Sequence, residues 1–127
     1  MRLLPLLSLL VLLLLGPAPL WAGPVSWQEV PPTAEGQQWW DEGSLRFNRS
    51  GHLTVLSRFQ PAAGEDTKAD APRPPGRLYV MELDCDQSLY RDISINGLPQ
   101  FGAPWQPTGQ DDLTAEVLRQ ACAAMAS

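Results

Sequence analysis

The chain has 127 residues, with 9 basic and 14 acidic side chains and a formal net charge of −5 at pH 7. That length suits a single domain. The acidity, without any basic cluster, argues against nucleic acid or an anionic membrane surface as a partner.

The chain begins Met1-Arg2 and continues through Leu3–Leu15, almost all leucine and interrupted by Pro5, Ser8 and Val11. A short apolar run behind a positive charge predicts a secretory signal peptide over residues 1–22. Gly16-Pro17 breaks the run, and Leu20-Trp21-Ala22 offers cleavage after Ala22, with cleavage after Ala18 as the second choice. An uncleaved anchor would need about 20 apolar residues, so no stable membrane span is expected after signal removal. No cysteine follows the apolar run, so lipid modification there is not expected. The expected mature chain has 105 residues, 8 basic and 14 acidic side chains, and net charge −6.

Residues 23–36 are proline-rich and read as an irregular segment, with Trp27 as an anchor into the core. A folded domain is expected over 37–125. Trp39 to Phe47 reads as a strand pair or one bent strand, with Leu45 and Phe47 alternating against polar neighbours. Asn48-Arg49-Ser50-Gly51 is a turn signal; its Asn-x-Ser sequon is read as a plain turn. His52 to Phe59 alternates Leu53, Val55 and Phe59 against Thr54 and Arg58, which predicts the second strand of a hairpin.

Residues 60–76 contain no large apolar side chain and are predicted to form a flexible loop. Arg77 to Asp84 is a strand with Tyr79, Met81, Leu83 and Cys85 on one face and Val80, Glu82 and Asp84 on the other. Leu89 to Ile95 is another, placing Leu89, Arg91, Ile93 and Ile95 on one side. Asn96-Gly97 is a tight-turn dipeptide, and Leu98 to Trp105 reads as a short last strand or a loop. Asp112 to Met125 is a helix: Leu113, Val117, Leu118, Ala121, Cys122 and Met125 recur at helical spacing. Thr108 or Asp111 is its expected cap. The fold class is therefore α+β: a small antiparallel sheet of about five or six strands with one C-terminal helix packed on it.

Two cysteines in an exported chain pair most simply as one disulfide, Cys85–Cys122, with two buried free thiols as the alternative. Two thiols with a lone histidine make a poor zinc site. The disulfide would fasten the helix to the strand end that carries Cys85.

Catalytic signatures are absent. There is no G-x-S-x-G elbow around Ser50, and His52, the single histidine, is expected to be solvent-exposed. No catalytic residue, cofactor or metal ligand is assigned. Glu82, Asp84 and Asp86 alternate along one strand. They read as a solvated acidic face paired with Arg91 or Arg77, or else as a cation or paired-carboxylate site. Adjacent Trp39 and Trp40 must point to opposite faces of a strand. Either one is exposed as an interaction hot spot, or the helix and the N-terminal segment cover both.

A skeleton runs through the chain: Trp39-Trp40-Asp41 into Ser44-Leu45-Arg46, then Gly51-His52-Leu53-Thr54-Val55. It continues with Tyr79-Val80-Met81-Glu82-Leu83-Asp84-Cys85, Tyr90-Arg91, Trp105 and Pro107, and ends at Cys122. This resembles the surface-adhesin protein E-like family of small exported bacterial domains over roughly residues 37–123. The resemblance implies an exported, non-enzymatic interaction module, adhesin-like or a periplasmic accessory protein, in the periplasm or on the outer cell surface. The implied partner is a protein or envelope component; named members bind host extracellular-matrix proteins. Trp39, Trp40, Glu82, Asp84 and Asp86 are the candidate interaction surface. A small metal-binding or hydrolytic protein using the acidic strand face, and a structural envelope protein, are the alternatives.

Overall fold

Period-two alternation over residues 53–59 and 77–83 builds the centre of the molecule. In the computed structural model, which describes residues 23–63 and 74–126, these stretches form the two longest strands. The predicted signal segment and residues 64–73 of the predicted loop lie outside the described residues. The strands are β1 (Trp27–Glu29), β2 (Gly36–Asp41), β3 (Arg46–Phe47), β4 (Leu53–Pro61), β5 (Arg77–Asp84), β6 (Leu89–Ile95), β7 (Leu98–Pro99) and β8 (Gln106–Pro107). One helix, α1 (Asp112–Ala126), follows.

All eight strands belong to one antiparallel sheet, ordered β1-β2-β4-β5-β6-β7, with β3 also beside β4 and β8 also beside β6. The α+β expectation holds. The bent strand is β2 and β3: both pair with β4, and a 3₁₀ turn over Glu42–Ser44 divides them. The proline-rich N-terminal segment contributes a strand as well, because Ser26 is held by Asp41. The Ser26 N–H donates to Asp41 Oδ1 at 2.7 Å, and the Glu42 N–H donates to Ser26 O at 2.9 Å. Asn96 and Gly97 take positive φ angles of 50° and 81°, as a two-residue hairpin turn requires.

One face of the sheet carries Trp40, Leu53, Val55, Met81 and Leu83, and α1 covers it with Leu113, Val117, Leu118 and Ala121. Trp40 is 4% exposed, and its indole N–H donates to Gln120 Oε1 at 2.8 Å, so its burial leaves no polar atom unmet. Of the two candidate caps, Asp111 starts the helix. Its carboxylate accepts from the Thr114 N–H at 3.1 Å and the Thr114 hydroxyl at 2.6 Å. Cys85 and Cys122 are joined as a disulfide, tying the turn after β5 to the last turns of α1.

One register feature departs from simple alternation. Val80 pairs with Ser94 but Met81 pairs with Asp92, so Ile93 is an extra residue in β6, a β-bulge. The side chains before the bulge are therefore out of phase with those after it. Leu89 and Arg91 lie on the face opposite α1, while Tyr90, Asp92 and Ile95 lie on the helix side. The expectation that Leu89, Arg91, Ile93 and Ile95 share one side is corrected on this point. Among the described residues, no helix is long and apolar enough to cross a membrane.

Candidate interaction face

The sheet face away from α1 is where polar and aromatic side chains converge. Pairing of Glu29 with Trp39, and of Trp39 with Arg58, puts Trp27, Trp39 and Arg58 on this open face. The Arg58 guanidinium lies 4.9 Å from the Trp27 ring centroid and 4.3 Å from that of Trp39. An exposed arginine thus sits between two half-buried indoles, a cation–π arrangement.

The same face carries a second cluster. Arg91 donates through Nε to Glu82 Oε1 at 2.6 Å and pairs with it through Nη2 at 2.6 Å. Its Nη1 reaches Ala103 O at 3.3 Å, and its guanidinium lies 4.3 Å from the Trp105 centroid. Asn48 Nδ2 donates to the other oxygen of Glu82. His52 meets Trp105 edge-on, centroids 4.7 Å apart, and its Nε2 is 3.7 Å from Asp84 Oδ2. Among the described residues, His52 Nδ1 is buried without a hydrogen-bond partner. Between the two clusters, Leu56, Val80 and Ile93 line a shallow hollow of about 400 Å³.

The five candidate surface residues therefore separate. Trp39 is on the open face, whereas Trp40 is in the core beneath α1. Glu82 and Asp84 are on the open face but buried, 6% and 9% exposed, so they are not a solvated acidic face. Both oxygens of Glu82 are occupied by Arg91 and Asn48. Asp84 accepts from the Gln87 N–H at 3.1 Å and from Gln87 Nε2 at 3.0 Å. Asp86 is exposed in the turn after β5 and helps to line a groove of about 450 Å³ beside the disulfide, with Phe47, His52 and Met125. Among the described residues, no group of three or more His, Cys, Asp and Glu is arranged to hold a metal ion. His52, expected in solvent, is half-buried against Trp105.

Arg58 and Trp105 carry the two clusters and stand outside the predicted surface, and Trp27 was expected to point into the core. The signal for Arg58 was its alternation phase: it is out of step with Leu53, Val55 and Phe59, and so on Trp39's side once those two strands pair. The Glu82–Arg91 pairing was legible from the acidic strand and the arginine two residues beyond Leu89.

On the helix side, the bulge turns Asp92 toward the first turn of α1. Burial first, and then the neighbouring Asp111 charge, raise its carboxyl from the ordinary 3.8 to about 6. Burial first, then Asp92, Asp111 and Tyr79, raise the Tyr90 phenol. Between pH 4 and 6 the unfolded chain has released the Asp92 proton while the folded protein still holds it. The folded state is therefore progressively penalised as pH rises through this window, and the penalty is constant above it. Solvent screening of this partly exposed group reduces the penalty to about 1–2 kcal/mol. Asp92→Asn is accordingly expected to raise Tm at pH 7.5 by roughly 5–10 °C and to have little effect at pH 4. Thermal unfolding by circular dichroism across this range checks it, and equal effects at both pH values would contradict it.

A family model described as the surface adhesin-E family matches residues 28–127. No curated protein and no solved structure matches the chain.

Proposed function

The chain belongs to the surface adhesin-E family, and on that premise we propose that it is an exported, non-enzymatic interaction module that grips a protein or envelope partner with its open sheet face. The observation that carries this reading is the exposed Arg58 held between Trp27 and Trp39. Tryptophan and arginine are enriched in interface hot spots: the indole buries a large area, and the guanidinium offers a planar fork of donors. The guanidinium is preorganised by its two indoles, and the apolar hollow at Leu56, Val80 and Ile93 continues the contact area toward Trp105. Glu82 and Asp84 support this face from below and do not form its contact surface.

Beads coated with the mature domain and offered purified extracellular-matrix proteins are expected to retain at least one of them saturably. Arg58→Ala and Trp39→Ala should each weaken that binding at least tenfold, about 1.4 kcal/mol or more, while keeping a cooperative unfolding transition. Retention of none would remove the adhesin reading; unchanged binding by both variants would mean that the face is elsewhere. Trypsin applied to intact cells tests the location. Cleavage supports exposure on the outer surface, and protection until the envelope is opened supports the periplasm.

A further inference from the structure

A cavity of about 290 Å³ opens between the first turn of α1 and the helix side of the sheet, on the opposite side from the aromatic face. Its walls include Tyr79, Tyr90, Asp92, Asp111 and Gln38, with Glu35 also lining it. Gln38 is 5% exposed. Its Nε2 donates to Ser57 Oγ at 3.0 Å, and that hydroxyl donates to Trp39 O at 2.8 Å. This chain fixes the amide orientation and leaves the Gln38 carbonyl oxygen accepting no hydrogen bond among the described residues.

Asp92 likewise has no hydrogen bond or ion pair among the described residues. The charged and titratable groups around it are Asp111 from α1, Tyr90 from β6, Tyr79 from β5, and Glu35 ahead of β2. None is a cation, and Arg91 is on the other face. The Asp111 carboxylate is committed to Thr114. What results is a cavity with an unneutralised carboxylate, an amide carbonyl free to accept a hydrogen bond and three aromatic rings, Tyr79, Tyr90 and Phe59.

We propose that this cavity binds a compact organic cation, an alkylammonium or alkylguanidinium head group, with Asp92 and the Gln38 carbonyl as acceptors and the Tyr79 and Tyr90 rings as walls. A cation supplies what the cavity lacks: it neutralises Asp92, donates to the free Gln38 carbonyl and gains from the aromatic faces. A volume near the lower limit for ligand pockets suits a head group and excludes a large ligand. A calcium ion needs six to eight converging oxygen ligands, and among the described residues Glu35, Asp92 and Asp111 are not arranged as a group that could hold a metal ion.

Titration calorimetry of the mature protein at pH 7.5 and constant ionic strength tests this, with butylamine and butylguanidine as free cations and capped peptides carrying one Lys or Arg. At least one probe is expected to bind saturably at a single site. Its affinity should fall at least tenfold in Asp92→Asn and at least threefold in Tyr90→Leu, and in the wild type it should weaken between pH 7.5 and pH 5. It should be unchanged in Arg58→Ala, which separates the cavity from the open face. Binding of the free cations alone identifies a small-molecule ligand, and binding of the peptides identifies a partner's side chain; either supports the proposal. Absence of saturable binding by every probe overturns it. So does undiminished binding in an Asp92→Asn protein that melts cooperatively, or saturable calcium binding in place of the organic cations.

Discussion

Replacing Arg91 with methionine is expected to destabilise the domain by about 3 kcal/mol, at the lower end of the range for breaking a buried ion pair. The Glu82 side chain is 7% exposed and that of Arg91 31%, so the carboxylate is the more deeply desolvated member. Without Arg91, Glu82 keeps its contact with Asn48, and its charge is otherwise uncompensated. The indole of Trp105 loses its stacked guanidinium, and the loop through Ala103 loses its anchor to β6. The penalty belongs to the stranded charge more than to the lost contacts. Glu82→Gln combined with Arg91→Met should therefore recover at least half of it. Urea unfolding of the wild type, both single variants and the double variant measures the coupling directly. A single Arg91→Met variant within about 0.5 kcal/mol of wild type would show that the pair behaves as a surface salt bridge.

Removing the disulfide is expected to have an effect of similar size. Cys85 and Cys122 are 37 residues apart in sequence, and the chain-entropy account assigns such a loop about 4 kcal/mol. For a domain of this size that corresponds to a fall in Tm of roughly 15–25 °C. The helix then remains on the sheet through its packing, chiefly Leu113, Val117, Leu118 and Ala121, together with the Trp40–Gln120 hydrogen bond. Cys85 is exposed in its turn, which gives a small-molecule reductant access. Cys85→Ser/Cys122→Ser and the dithiothreitol-treated wild type should accordingly melt at the same lowered temperature. A fall of less than about 5 °C in either would mean that packing alone holds α1.

Much of the architecture was legible because the chain keeps strict local periods. Leu53, Val55 and Phe59 at period two, Tyr79, Met81 and Leu83 at period two, and Leu113, Val117, Leu118 and Ala121 at helical spacing each mark one apolar face. An α+β sheet with a C-terminal helix follows from burying them together. The adjacent tryptophans are a clear case of what such patterns determine. Alternation alone requires Trp39 and Trp40 to face opposite ways. It does not say which is buried.

The outward tryptophan was decided by the tertiary register. Trp40 opposite Ser57 joins the side of Leu53 and Val55; a slip of one residue would have buried Trp39 instead, because each slip reverses every side chain of a strand. Arg58 is stacked between Trp27 and Trp39 only because β1, β2 and β4 lie side by side in that register. The acidic strand was misread for a related reason. A row of carboxylates looks solvated in sequence, but Arg91, stacked on Trp105, and Asn48 occupy Glu82, and all three come from elsewhere in the chain. The cavity at Asp92 depends on a single extra residue in β6. A β-bulge leaves no periodic trace, and it alone brings Asp92 round to the helix side, where Asp111 caps α1. The sequence by itself thus determined the elements, their apolar faces and the cysteine pair. Only the tertiary structure decided which polar groups meet, since strand register and bulge position are set by packing between segments distant in the chain.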